Sequence, residues 1–498
     1  MSKDIATSIV RNTTVMMGSQ VVTWVSSFVL MLFLPRYLGS EDYGRLYLAM
    51  SVAMIAQVFV DFGGAYFIAK EIARHKDHAP ALIADSIGFR MILSVVFLLL
   101  LAIFSWIAGY PWKVQALILI LAGAKLWEGP LAVFSSAFQG FEEMIHKSVV
   151  SIVERVFLMA FGVAALLLGG TSMTIAFIMA ASTLLGCVIA YRRLRPFVPR
   201  LPRVNWKNVL GLMRAGLPYL MMAIFAVIYY RINAVMLSLL VPEQVVGWFG
   251  AAFRFFDILM FFPSILSIAV FPVLSRHVNM KDAVVQTTMK SLEIILMVAI
   301  PLAIGTYAFS GEIIATLFGA EDYAGSVAVL AALAPGLILV YIDFVLVTAL
   351  IAMDRQRQWS WVALAAIPFS IALNALLIPY FQQVSGNGGI GSAIATNITE
   401  FGILLTALWL LPRGFFPKER FRQPLRTMVA GLSLVLCIWG LASLQTPWPL
   451  QALVGTGVYI GAIILTGALG REDRAFMLSA ISSSGLSRLF VSGRSAKS

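Results

Sequence analysis

Apolar runs of about twenty residues, separated by short polar stretches, recur along this chain from Thr13 to Leu469. Twenty residues is the length at which a helix crosses a hydrocarbon core of roughly 30 Å. Fourteen such spans are predicted, over 12–34, 45–68, 85–108, 114–137, 148–170, 172–190, 208–240, 247–275, 287–309, 326–350, 360–382, 391–411, 425–445 and 451–469. The run after Arg11 is too long for a secretory signal and lacks a small-residue cleavage site, so it is expected to remain as the first span. The longest connection predicted on the non-cytoplasmic side, Ser310 to Gly325, has room for a turn or a small helix and none for a catalytic domain.

A basic stretch at 191–207, carrying Pro196, Pro199 and Pro202, interrupts the apolar pattern after six spans. It divides the chain into a first six-helix half (1–190), a cytoplasmic linker (191–207), a second six-helix half (208–411), two further helices (425–469) and a Ser-rich, basic tail (470–498) expected to be cytoplasmic and poorly ordered. The halves share a feature. LGSEDYGRLYLAMS from Leu38 and VPEQVVGWFGAAFR from Val241 each set an acidic residue a few positions before a glycine, Gly44 or Gly247, that opens the next span. Parallel repeats of even span number are related by an axis along the membrane normal. The expected fold is therefore an all-α polytopic membrane protein with two pseudo-symmetric six-helix lobes around a central cavity, followed by two C-terminal helices.

Composition agrees with the pattern. With 60% hydrophobic and 12% charged residues and a mean hydropathy of +0.90, a water-soluble fold is excluded. The net charge of +12 changes the picture less than its size suggests. Most Lys and Arg fall on the side that holds the N-terminus, while Arg36, Arg45 and Lys113 fall on the other, so both termini are assigned to the cytoplasm. The densest cluster, Tyr191 to Lys207, suits topology and anionic headgroups rather than nucleic acid. Cys187 and Cys437 lie inside apolar spans and His75, His78, His146 and His277 in loops, so no metal site and no cofactor are expected.

Ionisable residues at bilayer depth cost about 2.5–3.5 kcal/mol each on insertion scales and must face protein or water. Thirteen are predicted there: Asp61, Arg90, Lys125, Glu128, Glu154, Arg155, Arg214, Arg231, Arg254, Asp257, Glu293, Asp343 and Glu400. Lys125 with Glu128 and Arg254 with Asp257 have the three-residue spacing that lets helix neighbours pair. Glu154 and Arg155 read as near the cytoplasmic end of their helix, and Glu293, one turn from Lys290, as interfacial. Arg90, Arg214 and Arg231 lack an acidic partner one turn away and are candidates to hold an anionic substrate, with snorkelling to the interface as the alternative for Arg90 and Arg214. The substrate-binding candidates are thus Arg90, Lys125, Arg214, Arg231 and Arg254. Asp61, Asp257, Asp343 and Glu400 are candidates for ion coupling; for Asp61, Asp343 and Glu400 the alternative is a pair with an arginine across helices. Pro218, Pro263 and Pro301 are candidate hinges.

No phosphate-binding G-x-x-x-x-G-K-[ST] loop, H-E-x-x-H or G-x-S-x-G motif occurs, so neither ATP-driven pumping by this chain nor catalysis is indicated. The opening from Asn12, with its LPRYLGSEDYG turn, and VDFGGAYFIAKEIAR from Val60 resemble the polysaccharide transporter family, the Wzx-type flippases of lipid-linked oligosaccharides. MRAGLPYL at Met213, VVGWFGAAFRF at Val245, FPVLSR at Phe271 and TLFGAEDYAGS at Thr316 are similar to its repeated features, and the resemblance covers roughly residues 8–415. Asn233 departs from it, standing where many relatives carry an acidic residue.

The resemblance implies alternating access by two six-helix lobes around a cationic lumen, with an undecaprenyl-pyrophosphate-linked oligosaccharide as cargo. Transfer would run from the cytoplasmic to the periplasmic leaflet of a bacterial inner membrane, coupled to H+ or Na+, with a polysaccharide polymerase complex as a candidate partner. The alternative is a multidrug or organic-cation antiporter of the same superfamily. Six basic and seven acidic residues within the spans do not by themselves make a net cationic lumen.

Overall fold

The computed structural model describes residues 2–468 apart from 279, 413 and 417–421, and at residues 2–14 and some helical positions the backbone alone. The segment predicted as a poorly ordered tail, 470–498, lies outside the described residues. Among those described, every regular element is helical.

The first element, α1 (Ser2–Asp61), is 60 residues long, about 90 Å at the helical rise and too long for one crossing. It is two rods. Gly39, at φ 73° and ψ 167°, leaves the helical region in a way only glycine sustains cheaply, four residues after Pro35. The chain turns again at Phe62 (φ 49°) and Gly63 (φ 66°) before the amphipathic α2 (Gly64–Arg74). The second predicted span therefore ends at Asp61 and not at residue 68, because the backbone reverses at Asp-Phe-Gly.

Next come α3 (Ala79–Ile107), α4 (Trp112–Gly140), α5 (Met144–Leu167) and α6 (Ser172–Leu194), and after the basic linker α7 (Trp206–Leu240). The eighth predicted span is α8 (Glu243–Leu259) followed by α9 (Phe261–Arg276), interrupted at Met260. Then follow α10 (Lys281–Ala308), the small helix expected in the long connection, α11 (Ser310–Leu317), α12 (Ala324–Ala352), α13 (Gln356–Ser385), α14 (Gly388–Leu410), α15 (Arg422–Ser443) and α16 (Trp448–Thr466). Among the described residues, twelve stretches are long and apolar enough to cross a membrane; the first, Val15–Asp61, holds the rods on both sides of Gly39, and α7 adds the apolar Val227–Leu240. Each of the fourteen predicted spans thus falls on helix. Leu99, Trp106, Trp112, Trp409, Trp439 and Leu465 are exposed, an apolar exterior with tryptophans near helix ends, as a lipid solvent selects.

The chain packs as two compact units: Met1–Ile258 with Gly311–Leu333 and Arg357–Ile403, and Leu259–Ser310 with Ala334–Gln356 and Leu404–Ser498. Within the first, α1 lies against α4, α5, α6 and α7, and α4 also against α3 and α6. The linker is pinned there by Asp85 of α3, whose carboxylate accepts the Asn205 amide at 2.6 Å and the Asn208 side chain at 3.0 Å. Within the second, α10 packs on α9 and α15, and Tyr459 of α16 donates to the Met297 carbonyl at 2.9 Å.

The two repeated turns meet inside the first unit. A methyl group on Gly44 would lie 2.1 Å from the Glu243 carbonyl oxygen, and one on Gly247 would lie 1.8 Å from the Ser40 carbonyl oxygen, so backbone touches backbone on both sides. The third related motif joins them. Tyr323 donates to the Pro35 carbonyl at 2.9 Å, Trp248 Nε1 to the Asp322 carbonyl at 2.8 Å, and the Trp248 ring occupies the space a side chain on Gly325 would need. Because the displaced atoms are backbone, Gly247→Ala is expected to lower stability by about 1–3 kcal/mol, read as a lower melting temperature in detergent, whereas Gly457→Ala, with open space around it, leaves the melting temperature unchanged.

Candidate functional site

Seven of the thirteen predicted intramembrane charges converge in the first unit. Asp61, Lys125, Glu128, Glu154, Arg155, Arg231 and Arg254 line one cavity of about 640 Å³, together with Tyr47, Met50 and Gln57. Three helices of the first sequence half, α1, α4 and α5, supply the acidic and mixed side. α7 and α8 of the second half supply two guanidiniums. Large polar cavities among helices are where membrane carriers place cargo.

Side-chain contacts reinforce the meeting of the two turns in the first unit. Beyond the paired glycines, Arg45 Nε contacts Glu243 at 2.5 Å, Nη1 contacts Asp42 at 2.7 Å, and Nη2 pairs with Glu41. Tyr110 and Ser238 share a hydrogen bond of 2.6 Å. Burial pushes the phenols of Tyr110 and Tyr323 up from their ordinary range, so both are protonated donors at any physiological pH.

Inside, most charges are already paired. Lys125 Nζ lies 2.5 Å from Glu128, and Arg231 Nη2 lies 3.3 Å from Asp257. Arg254 is different: among the described residues no carboxylate lies within 4.0 Å of it, and its guanidinium sits beside the Tyr43 hydroxyl and 3.9 Å from the Met50 sulfur. Glu154 and Arg155 stand at the middle of α5, not near its cytoplasmic end, because α5 begins at Met144 and runs only to Leu167. The sequence reading left both open between snorkelling and function for want of exact helix boundaries, and it passed over Gln57.

Arg90 does not line this cavity. Its side chain is 2% exposed and faces the Asp-Phe-Gly break, where Nη2 contacts the Asp61 carboxylate at 2.6 Å and the Asp61 carbonyl at 3.2 Å, and Nη1 donates to the Gly129 carbonyl at 3.3 Å. A cation at a helix C-terminus meets unsatisfied carbonyls and the negative end of the dipole. α7 closes over the same break, since a side chain on Gly216 would strike the Phe62 carbonyl at 2.4 Å. Asp61 is thus the carboxylate paired with an arginine across helices.

The remaining candidates lie elsewhere. Arg214 is exposed near the start of α7. Glu400 on α14 is buried and accepts a hydrogen bond from Tyr229 at 2.8 Å. Beside it Asn233 donates to Thr396 and accepts from Asn374, both at 3.0 Å, so the departure at 233 sits in a buried amide network. In the second unit Asp343 is buried on α12 and Glu293 is buried, not interfacial, 3.4 Å from Lys290 and accepting from the Gln423 amide. Pro263 occupies the first turn of α9, directly after the interruption at Met260, and Pro301 lies inside α10. Pro218 falls within α7, its side chain outside the described residues. Among the described residues no group of three or more His, Cys, Asp or Glu is placed to hold a metal ion.

Comparison with known proteins gives consistent matches. Residues 9–278 match the family described as polysaccharide biosynthesis protein, and residues 148–459 the family described as lipid II flippase MurJ. A probable low-salt glycan biosynthesis flippase, Agl15 of Haloferax volcanii, is 23% identical over 370 residues, 74% of this chain and 76% of the relative. Among solved structures, a lipid II flippase MurJ in an inward closed conformation superposes with a TM-score of 0.74 at 16% identity, over 92% of this chain and 99% of that one. An inward-facing multidrug resistance MATE family transporter gives 0.62 at 14% identity, over 77% and 93%. At these identities the structural likeness establishes the fold.

The Arg90–Asp61 pair generates a stability test. Asp61→Asn strands a buried guanidinium, and the expected cost is about 3–5 kcal/mol. Asp61→Asn combined with Arg90→Met recovers part of the lost melting temperature, because the uncompensated charge is gone. Equal destabilisation by the single and double variants would show that the pair does not hold the break.

Proposed function

We propose, from the premise that this chain belongs to the polysaccharide transporter family and is a flippase of the lipid-linked-glycan type, that its cargo is an undecaprenyl-pyrophosphate-linked oligosaccharide destined for a surface or exopolysaccharide. The single observation that carries this reading is the pair Arg231 and Arg254 facing one cavity from adjacent helices. Guanidinium stays charged at any relevant pH and binds phosphate oxygens in a bidentate fork. With the non-cytoplasmic end closed by the glycine contact and the Arg45 cluster, the cavity takes cargo from the cytoplasmic leaflet of a bacterial inner membrane. Release on the periplasmic side requires the contact at Gly44 and Gly247 to part, the two sequence halves acting as alternating elements. Pyrophosphate entering beside Arg231 competes with Asp257 for the guanidinium, a differential contact of the kind that shifts a two-state equilibrium. A cationic drug would meet the same two arginines and be repelled, which disfavours an antiporter of organic cations.

Coupling to H+ or Na+ falls most naturally to Glu400, a buried carboxylate that accepts from the Tyr229 hydroxyl beside the amide network of Asn233. A polymerase complex receiving the product is the implied partner, and no covalent step is assigned to this chain.

Two measurements test the proposal. Arg231→Ala with Arg254→Ala is expected to reduce polymer export at least tenfold while the protein remains in the membrane; normal export in that double variant would remove the assigned site. Glu400→Gln is expected to uncouple lipid-linked glycan transfer in proteoliposomes from an imposed proton or sodium gradient, and a transfer rate still accelerated by either gradient would exclude Glu400 as the coupling group.

A further inference from the structure

The cavity is chemically lopsided, and its lopsidedness bears on the glycan. One wall, α7 and α8, presents guanidiniums alone. The other, α4 and α5, presents Lys125, Glu128, Glu154 and Arg155, two cations and two carboxylates. Lys125 is spent on Glu128 at 2.5 Å. The Glu154 carboxylate reaches beside Gly186 of α6, where an added methyl would stand 3.6 Å from Oε2, so a larger residue there would crowd it. Asp61, at the cavity's edge, is held by Arg90 at 2.6 Å. Gln57 adds a buried side-chain oxygen that lines the cavity and has no hydrogen-bond partner. The hydroxyls that line the cavity have their protons committed: Ser51 donates to the Tyr47 carbonyl, and Ser182 and Thr183 to the Met179 carbonyl.

We infer that the α4/α5 wall is a subsite for the sugar adjacent to the pyrophosphate and that it selects an uncharged, hydroxyl-rich residue over an acidic one. This inference rests on the reading of the cavity as the cargo site. A neutral sugar hydroxyl both donates and accepts, and the wall offers carboxylate and amide acceptors beside ammonium and guanidinium donors. A uronic acid placed there gains no net attraction from a wall whose charges cancel, yet loses its hydration in a low-dielectric space. Rejection by unpaired or like charge is an efficient route to specificity. The pyrophosphate stays on the α7/α8 wall, where Arg254 has no acidic partner within 4.0 Å among the described residues.

The test uses the full chain in nanodiscs and three probes: undecaprenyl pyrophosphate alone, the same lipid bearing N-acetylglucosamine, and the same lipid bearing glucuronic acid. The wild type is expected to bind the N-acetylglucosamine form about tenfold more tightly than the glucuronic acid form. Glu128→Gln with Glu154→Gln leaves Lys125 and Arg155 uncompensated. That variant is expected to gain more affinity for the glucuronic acid form than for the bare lipid, until the preference between the two glycolipids vanishes or reverses. Should the double variant fail to fold, Glu154→Gln alone decides, narrowing the preference to about threefold. Equal wild-type affinity for the two glycolipids, or an undiminished preference in the carboxylate variants, overturns the inference while leaving the flippase reading standing. Bare lipid that does not bind, or binds equally well after Arg254→Ala, overturns both.

Discussion

Two glycines in backbone contact set the geometry on which the cavity depends. Gly44 abuts the Glu243 carbonyl and Gly247 abuts the Ser40 carbonyl, so α1 after its break and α8 start from nearly the same point. From there Tyr47 and Met50 on one helix and Arg254 on the other line a common space. A side chain at either glycine would push the helix starts apart and displace Arg254 relative to Met50. Tyr323, reaching the Pro35 carbonyl, and Trp248, reaching Asp322, lock a third copy of the turn onto the same contact.

The same economy governs the charges. An isolated ion in hydrocarbon is costly, and the chain answers in two ways. Some charges build structure: Arg90 closes the broken end of α1 and neutralises Asp61, and Arg45 gathers three carboxylates at the closed end. Others face water in the cavity, where Arg231 shares itself with Asp257 and Arg254 has no carboxylate partner within 4.0 Å among the described residues. Four cations and three carboxylates line the cavity, so its lining is nearly neutral overall, with the two guanidiniums of α7 and α8 gathered on one wall.

How much of this was legible in the sequence follows from which interactions are local. The helical spans were readable because each helix carries its own apolar length. The break at Asp61 was misplaced by seven residues: the apolar pattern continues through α2, and only the positive φ values at Phe62 and Gly63 stop the helix. Of the pairings three residues apart, Lys125 with Glu128 is made, whereas Asp257 pairs with Arg231 and not with Arg254. Arg90 with Asp61, 29 residues apart, and Arg231 with Asp257, 26 apart, could not be chosen among many cross-helix options. Mid-helix placement of Glu154 and Arg155 turned on where α5 begins, which the apolar run alone left several residues too late.

The closed end combines a hard contact with a soft one. The glycine contact is steric and either made or lost, whereas the Arg45 cluster is partly exposed, with Glu41 63% exposed, and each ion pair there is worth about 0–1 kcal/mol. A latch made of strong buried pairs would have to be desolvated and rebuilt on every cycle. A tight but small backbone contact reinforced by screened charges parts at modest cost and recloses in one register, because only glycine lets the chains approach so closely. That is the behaviour of a bistable interface, in which cargo-induced differences of a few kcal/mol suffice to move the population from one state to the other.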